Sequence, residues 1–171
     1  GFAVAVAARE AGADVTIVAG PVALQTPIGV KRIDVESAAD MLNAVLKNLD
    51  GVDIFIATAA VADYRPVKPA ESKIKKTSES LDLQMERTVD ILATVAARIG
   101  PARPFVVGFA AETDSVEQYA RQKLLKKNLD MIAANEVGHD KVFEKDDNAL
   151  LVLWRDGRQE LPHAPKVALA R

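Results

Sequence analysis

Short β-branched runs alternate with longer stretches of helical spacing along most of this chain. Residues 2–11 are rich in Ala and Val and read as a helix that Gly12 stops. Residues 15–19 form a buried-strand run that closes at Gly20-Pro21, and residues 30–35 form a second strand after Gly29. Ser37 is positioned to cap a helix to about Asn48 whose inner side carries Ala39, Met41, Leu42, Val45 and Leu46. Residues 52–58 are a third strand, nearly all apolar.

A long irregular stretch with prolines and lysines follows over residues 59–80. Leu81, Leu83 and Met85 then alternate with polar residues, which predicts a strand with one wet face. Residues 90–99 read as helix, 105–110 as a fourth buried strand, 115–128 as an amphipathic helix and 131–134 as a fifth strand. After these the pattern changes: residues 149–154 and 158–161 flank Asp156-Gly157 and predict a hairpin with an Asp-Gly turn, and a helix begins over 164–171.

Strands alternating with helices predict an α/β fold: a Rossmann-like three-layer domain over residues 1–171, with a mainly parallel sheet, helices on both faces and a C-terminal β-hairpin. A parallel βαβ unit needs a strand before its helix, so a first strand and a glycine-rich phosphate-facing segment are expected ahead of Gly1.

The length suits one domain, and 49% hydrophobic with 27% charged residues places it among ordinary globular proteins. A net charge of −2 gives no global attraction to nucleic acid or membrane, so any anion site must come from local clustering. The lack of cysteine excludes disulfides, thiolate metal sites and a cysteine nucleophile, and fits a cytoplasmic setting. Residues 1–8 are apolar but are followed by Arg9 and Glu10, unlike a secretory leader, and no apolar run approaches the ~20 residues of a membrane span.

In open α/β sheets ligands sit beyond the carboxyl ends of the strands. After the third strand come Ala59, Ala60, Val61, Ala62, Asp63 and Tyr64; small residues there admit a ligand to the backbone, and Asp63 suits ribose hydroxyls, Mg²⁺ or a plain loop cap. Lys73, Lys75 and Lys76 stand within four residues and suit an anion or simple solvation, with Thr77, Ser78, Glu79 and Ser80 beside them as a flap. Phe109, among small residues, suits stacking on a base or core packing. Lys123 and Lys127 share one helix face beside a Glu117–Arg121 pair, and with Lys73 they would clamp a triphosphate. Asn135 ends the fifth strand as a polar site residue or a cap. His139 and His163 read as surface residues, and Trp154 as packing or a dimer contact.

Together, the run from Ala59 to Tyr64 followed by Lys73, Ile74, Lys75 and Lys76 resembles the signature of bacterial phosphopantothenoylcysteine synthetase, the C-terminal half of the bifunctional coenzyme A biosynthesis flavoprotein. The segments 108–113, 119–123, 127–130, 134–135 and 147–149 are similar too, so the resemblance covers essentially the whole chain. It implies a homodimeric ligase that activates 4′-phosphopantothenate with CTP and Mg²⁺ and joins it to L-cysteine, fused to a decarboxylase half that holds FMN. It further implies nucleotide contacts at Ala57, Thr58, Ala59, Asp63, Lys73, Val89, Asp90, Ile91, Leu92, Phe109, Lys123 and Lys127, with Lys73 catalytic. Ala59, Ala60 and Asn135 fall at the acyl substrate, and a phosphate segment with an asparagine is implied upstream of Gly1. Thr88-Val89-Asp90 departs from the Asn-Pro-Asp of many relatives, which leaves that segment a backbone role. Two other readings remain: a nicotinamide-dependent oxidoreductase on the same sheet, and a non-catalytic dimerisation module using the hairpin at 149–161.

Overall fold

The computed structural model of the protein describes residues 1–70, 72–75, 79–100, 103–136 and 147–171. Helix α1 (Phe2–Glu10) ends as expected: Gly12 takes φ +93°, its N–H donates to the Arg9 carbonyl, and the Ala13 N–H donates to the Ala8 carbonyl. This paired closure satisfies the last carbonyls of the helix and favours a residue without Cβ. Strand β1 (Thr16–Ala19) then pairs parallel with β2 (Lys31–Asp34). Helix α2 (Ala38–Lys47) opens on a reciprocal cap, in which the Ser37 hydroxyl accepts from the Asp40 N–H and the Asp40 carboxylate accepts from the Ser37 N–H.

The remaining elements are β3 (Ile54–Ala57), β4 (Tyr64–Pro66), β5 (Met85–Arg87), α3 (Ile91–Ala96), β6 (Phe105–Glu112), α4 (Val116–Lys126), β7 (Met131–Glu136), β8 (Asp147–Trp154), β9 (Gly157–Pro165) and α5 (Lys166–Ala170). The main sheet has the order β3-β6-β7-β8-β9. Its first three strands are parallel, and β8 and β9 continue it antiparallel. The fold is thus α/β with a mostly parallel sheet, as expected, but the strands do not share one sheet, since β1 and β2 form a parallel pair of their own.

Three local expectations are corrected. The stretch 59–80 is not wholly irregular, because Tyr64–Pro66 pairs antiparallel with β5 and builds a two-stranded arm. Of the alternating Leu81, Leu83 and Met85, only Met85 enters a strand, as the first residue of β5 paired with Pro66; Leu81 and Leu83 lie before it, exposed and unpaired with any described strand. The hairpin turn consists of Arg155 and Asp156, with Gly157 already paired to Trp154 as the first residue of β9. Gly157 is required there by contact, because a Cβ would lie 2.5 Å from the Trp154 ring.

Strand alternation sorts the core. Val106 and Ala110 of β6 and Ile132 and Ala134 of β7 join one buried cluster with α2, α3 and α4, through Val45, Val95, Ala120 and Leu124. Val107 and Ala133 are buried on the opposite face, as parallel strands require. Helix α5 contacts β8 and β9, and α1 packs on α5. Gly108 lies where α3 and the turn after α4 press closest on the sheet, since a Cβ there would meet Leu129 at 2.9 Å and Leu92 at 3.1 Å. Gly108→Ala is expected to cost about 1–3 kcal/mol by overpacking, read as a lower urea midpoint at unchanged slope.

Candidate functional site

The carboxyl ends of β3, β6 and β7 emerge on one edge of the sheet. Ala57 pairs with Gly108, which makes Thr58 level with Phe109; β6 and β7 run on together to Glu112 and Glu136. Thr58 and Phe109 therefore share the face opposite the main cluster, and Asn135, level with Ala111, shares it too. Helix α1 starts on this side, where a Cβ at Gly1 would stand 2.8 Å from the Thr58 hydroxyl oxygen. This wall carries no charged group from the predicted site residues. Ala59 and Ala60 are exposed just past it, and the Val61 N–H donates to the Ala59 carbonyl at 3.1 Å.

The other face carries the charges. Lys127, the C-cap of α4, forms an ion pair with Asp90 at 2.7 Å. One turn earlier, Lys123 pairs with Glu112 at 2.5 Å. Asp90 is also the N-cap of α3, where its second oxygen accepts from the Ala93 N–H at 2.9 Å. Partial burial pushes the Asp90 carboxyl up, but the Ala93 amide, the Lys127 amine and the Leu92 amide together pull it further down, below the ordinary carboxylate value. Ile91 and Leu92 turn their side chains into or against the core, so the segment 89–92 offers a ligand its backbone, Asp90 and the exposed Val89.

Asp63 is tied to this wall through Thr88, whose N–H donates to the Asp63 carbonyl at 2.9 Å and whose hydroxyl donates to the Ala62 carbonyl at 2.6 Å. The Asp63 carboxylate is exposed, close enough to Arg87 that its charge, after the larger effects of the Tyr64 hydroxyl, raises the guanidinium pKa. Arg65 and Glu86 close the arm at 2.8 Å.

The fold thus brings Lys127 to Asp90 and Lys123 to Glu112. Lys73 is exposed on the arm between β4 and β5 and makes no ion pair among the described residues. The lysines that do approach one another are not free cations but neutralised ones. Lys76, Thr77, Ser78 and His139 lie outside the described residues; His163 is exposed. Glu117 and Arg121 pair at 3.4 Å as expected, and Glu117 is also shared with Arg158 of β9.

Among the described residues no three His, Cys, Asp or Glu side chains gather as a metal cage. Asp63 is an exposed carboxylate that could hold a Mg²⁺ only together with oxygens brought by a ligand. An open groove of about 560 Å³ lies at the opposite edge, beside Phe105, Met131 and Trp154, and includes none of the candidate residues. No described helix is long and apolar enough to cross a membrane.

Residues 1–171 match the family described as the DNA/pantothenate metabolism flavoprotein C-terminal domain. The chain is 54% identical over 173 residues to the coenzyme A biosynthesis bifunctional protein CoaBC of Vibrio cholerae, covering 99% of this chain and 43% of that protein. It is 49% identical over 175 residues to the protein of the same name from Escherichia coli, covering 100% of this chain and 43% of that protein. The chain therefore spans less than half the length of these relatives. A crystal structure of the C-terminal domain of coenzyme A biosynthesis bifunctional protein CoaBC superimposes with a TM-score of 0.81 at 40% identity, over 99% of this chain and 76% of that one.

The depressed Asp90 carboxyl has a stability consequence. A group whose pKa is lower folded than unfolded stabilises the fold above its unfolded value and loses this as pH falls through its folded value. Asp90→Asn keeps a capping oxygen and removes the charge. Urea unfolding across pH is expected to show wild type more stable than Asp90→Asn above about pH 5, with the gap closing below about pH 4, where an ordinary aspartate titrates.

Proposed function

Because the chain belongs to the DNA/pantothenate metabolism flavoprotein C-terminal domain family, we propose that it ligates 4′-phosphopantothenate to L-cysteine with CTP in coenzyme A biosynthesis. The substrate carboxylate attacks the α-phosphorus of CTP, an acyl-cytidylate forms and pyrophosphate leaves. The cysteine amine then attacks the acyl carbon, loses a proton and expels CMP. The observation that carries this reading is the pair of α4 lysines held at the carboxyl edge of parallel strands, with Thr58, Phe109 and Asn135 on the other face of the same edge.

On this reading Lys123 and Lys127 take the phosphate chain, and Lys73 adds a third amine from the arm. Amines suit this step, because charge accumulates on the reacting phosphate and the leaving pyrophosphate. No strong base is needed for the first step, since a carboxylate is ionised at neutral pH. Mg²⁺ supplies charge neutralisation on the phosphates, and Asp63 would hold it. Backbone groups at Ala57, Ala59 and residues 89–92 suit the donor and acceptor edge of cytosine. FMN belongs to a fused decarboxylase half, consistent with relatives called bifunctional and more than twice as long as this chain. A homodimer and a cytoplasmic setting complete the proposal.

An oxidoreductase reading gains no support, because β1 ends at Ala19 without an acid for a ribose, and the Asp34 carboxylate is engaged by Arg32 at 2.7 Å. CTP is expected to raise the melting temperature, with NADH giving no shift. Lys73→Gln is expected to slow single-turnover cytidylate formation by about 10²-fold or more while leaving stability within about 0.5 kcal/mol, since Lys73 is exposed. Unchanged cytidylate formation in that variant would remove the role given to Lys73.

A further inference from the structure

Both lysines on the charged wall already have an anion, but they are held differently. Asp90 is pinned twice, by the α3 amide at Ala93 and by Lys127. Glu112 has one partner among the described residues, Lys123, at 2.5 Å. The Glu112 side chain is 16% exposed at the end of β6, whereas the Lys123 side chain is 46% exposed and reaches it from outside. Lys127 is the more enclosed amine, at 31%. Lys123 is therefore the cation able to swing, and Glu112 the anion that stays where the strand puts it.

We propose that Glu112 is a built-in competitor for Lys123, so that a phosphate chain binds this wall by displacing a carboxylate rather than by filling a vacant cationic site. The proposal rests on the nucleotide reading given above. Lys123 exchanges one charge-assisted hydrogen bond for another, and the net gain is their difference. The half-buried Glu112 loses its cation when the phosphates arrive, a cost that every occupant of the wall must meet. The same cost favours departure. When pyrophosphate leaves, Lys123 returns to Glu112, and the wall does not retain its own product.

Glu112 is thus a positioning residue acting through Lys123, and removing its charge has a sign opposite to simple structural damage. Calorimetric titration of the full chain with pyrophosphate, at fixed Mg²⁺ and ionic strength, tests this. Glu112→Gln is expected to tighten binding about tenfold, the equivalent of one charge-assisted hydrogen bond. Lys123→Met is expected to weaken it, and Glu112→Gln in the Lys123→Met background to change nothing further. Glu112→Ala should act in the same direction as Glu112→Gln. In turnover, KM for CTP and kcat should fall together in Glu112→Gln, as release of pyrophosphate slows. Weaker pyrophosphate binding in folded Glu112→Gln, an equal gain without Lys123, or no binding by the native protein overturns the proposal. Binding of pyrophosphate with this pattern but no binding of CTP would leave the exchange standing and remove the nucleotide reading.

Discussion

The site edge depends on a clasp at the opposite end of the strands. Asp130 accepts from Arg103 and from the Val106 N–H through one oxygen, each at 2.7 Å, while its own N–H donates to the Val106 carbonyl. Arg103 also donates to the carbonyls of Ala96, the last residue of α3, and Asn128, just past α4. One half-buried guanidinium thus ties the ends of two helices to the starts of two strands. Its planar fork carries five donors in fixed directions, against three on a lysine ammonium, and so reaches acceptors on separate segments at once. With those ends fixed, rigid helices and strands carry the position to the other edge, where Asp90 begins α3, Lys123 and Lys127 end α4, and Glu112 ends β6. The shared cluster of Val95, Val106, Leu124 and Ile132 fills the space between.

The fold was legible where local signals agreed with packing. Gly12, the Ser37 cap and the apolar runs at β3 and β6 each state their own conformation, and the structure follows them within a residue or two. Legibility failed where an element depends on a distant partner. Tyr64–Pro66 has too few residues and too many polar neighbours to read as a strand, and exists because β5 pairs with it twenty residues later. Leu81 and Leu83 show the reverse, a strand-like period with no partner strand among the described residues, since β4 reaches only as far as Met85.

The candidate site divides along the same line. Lys123 and Lys127 share a helix face by spacing alone, and that much is visible in sequence. Their counterions are not. Asp90 had a readable signal, an acid just before an apolar run and three residues ahead of an amide it caps. Glu112 had none: it meets Lys123 only because β6 and α4 pack together. Lysines counted in sequence look like unspent positive charge; in the fold Lys123 and Lys127 are already matched, and charge density cannot be read from spacing.

Under the proposed reaction, this matching bears on how two negatively charged substrates would share one edge. A wall of free amines would hold any anion, the acyl substrate's phosphate as readily as the nucleotide's. The alternation of Asp90, Lys127, Lys123 and Glu112 carries no net charge, so only a group that offers the amines more than their present carboxylates gains a place there. The opposite face of the sheet, with Thr58, Phe109 and Asn135, offers hydroxyl, ring and amide. Under the proposed reaction the two walls sort their ligands by charge density. The phosphate chain goes to the amines and the less densely charged partner to the neutral side. The reacting carboxylate then meets the α-phosphorus over the ends of β3 and β6, which separate the two walls.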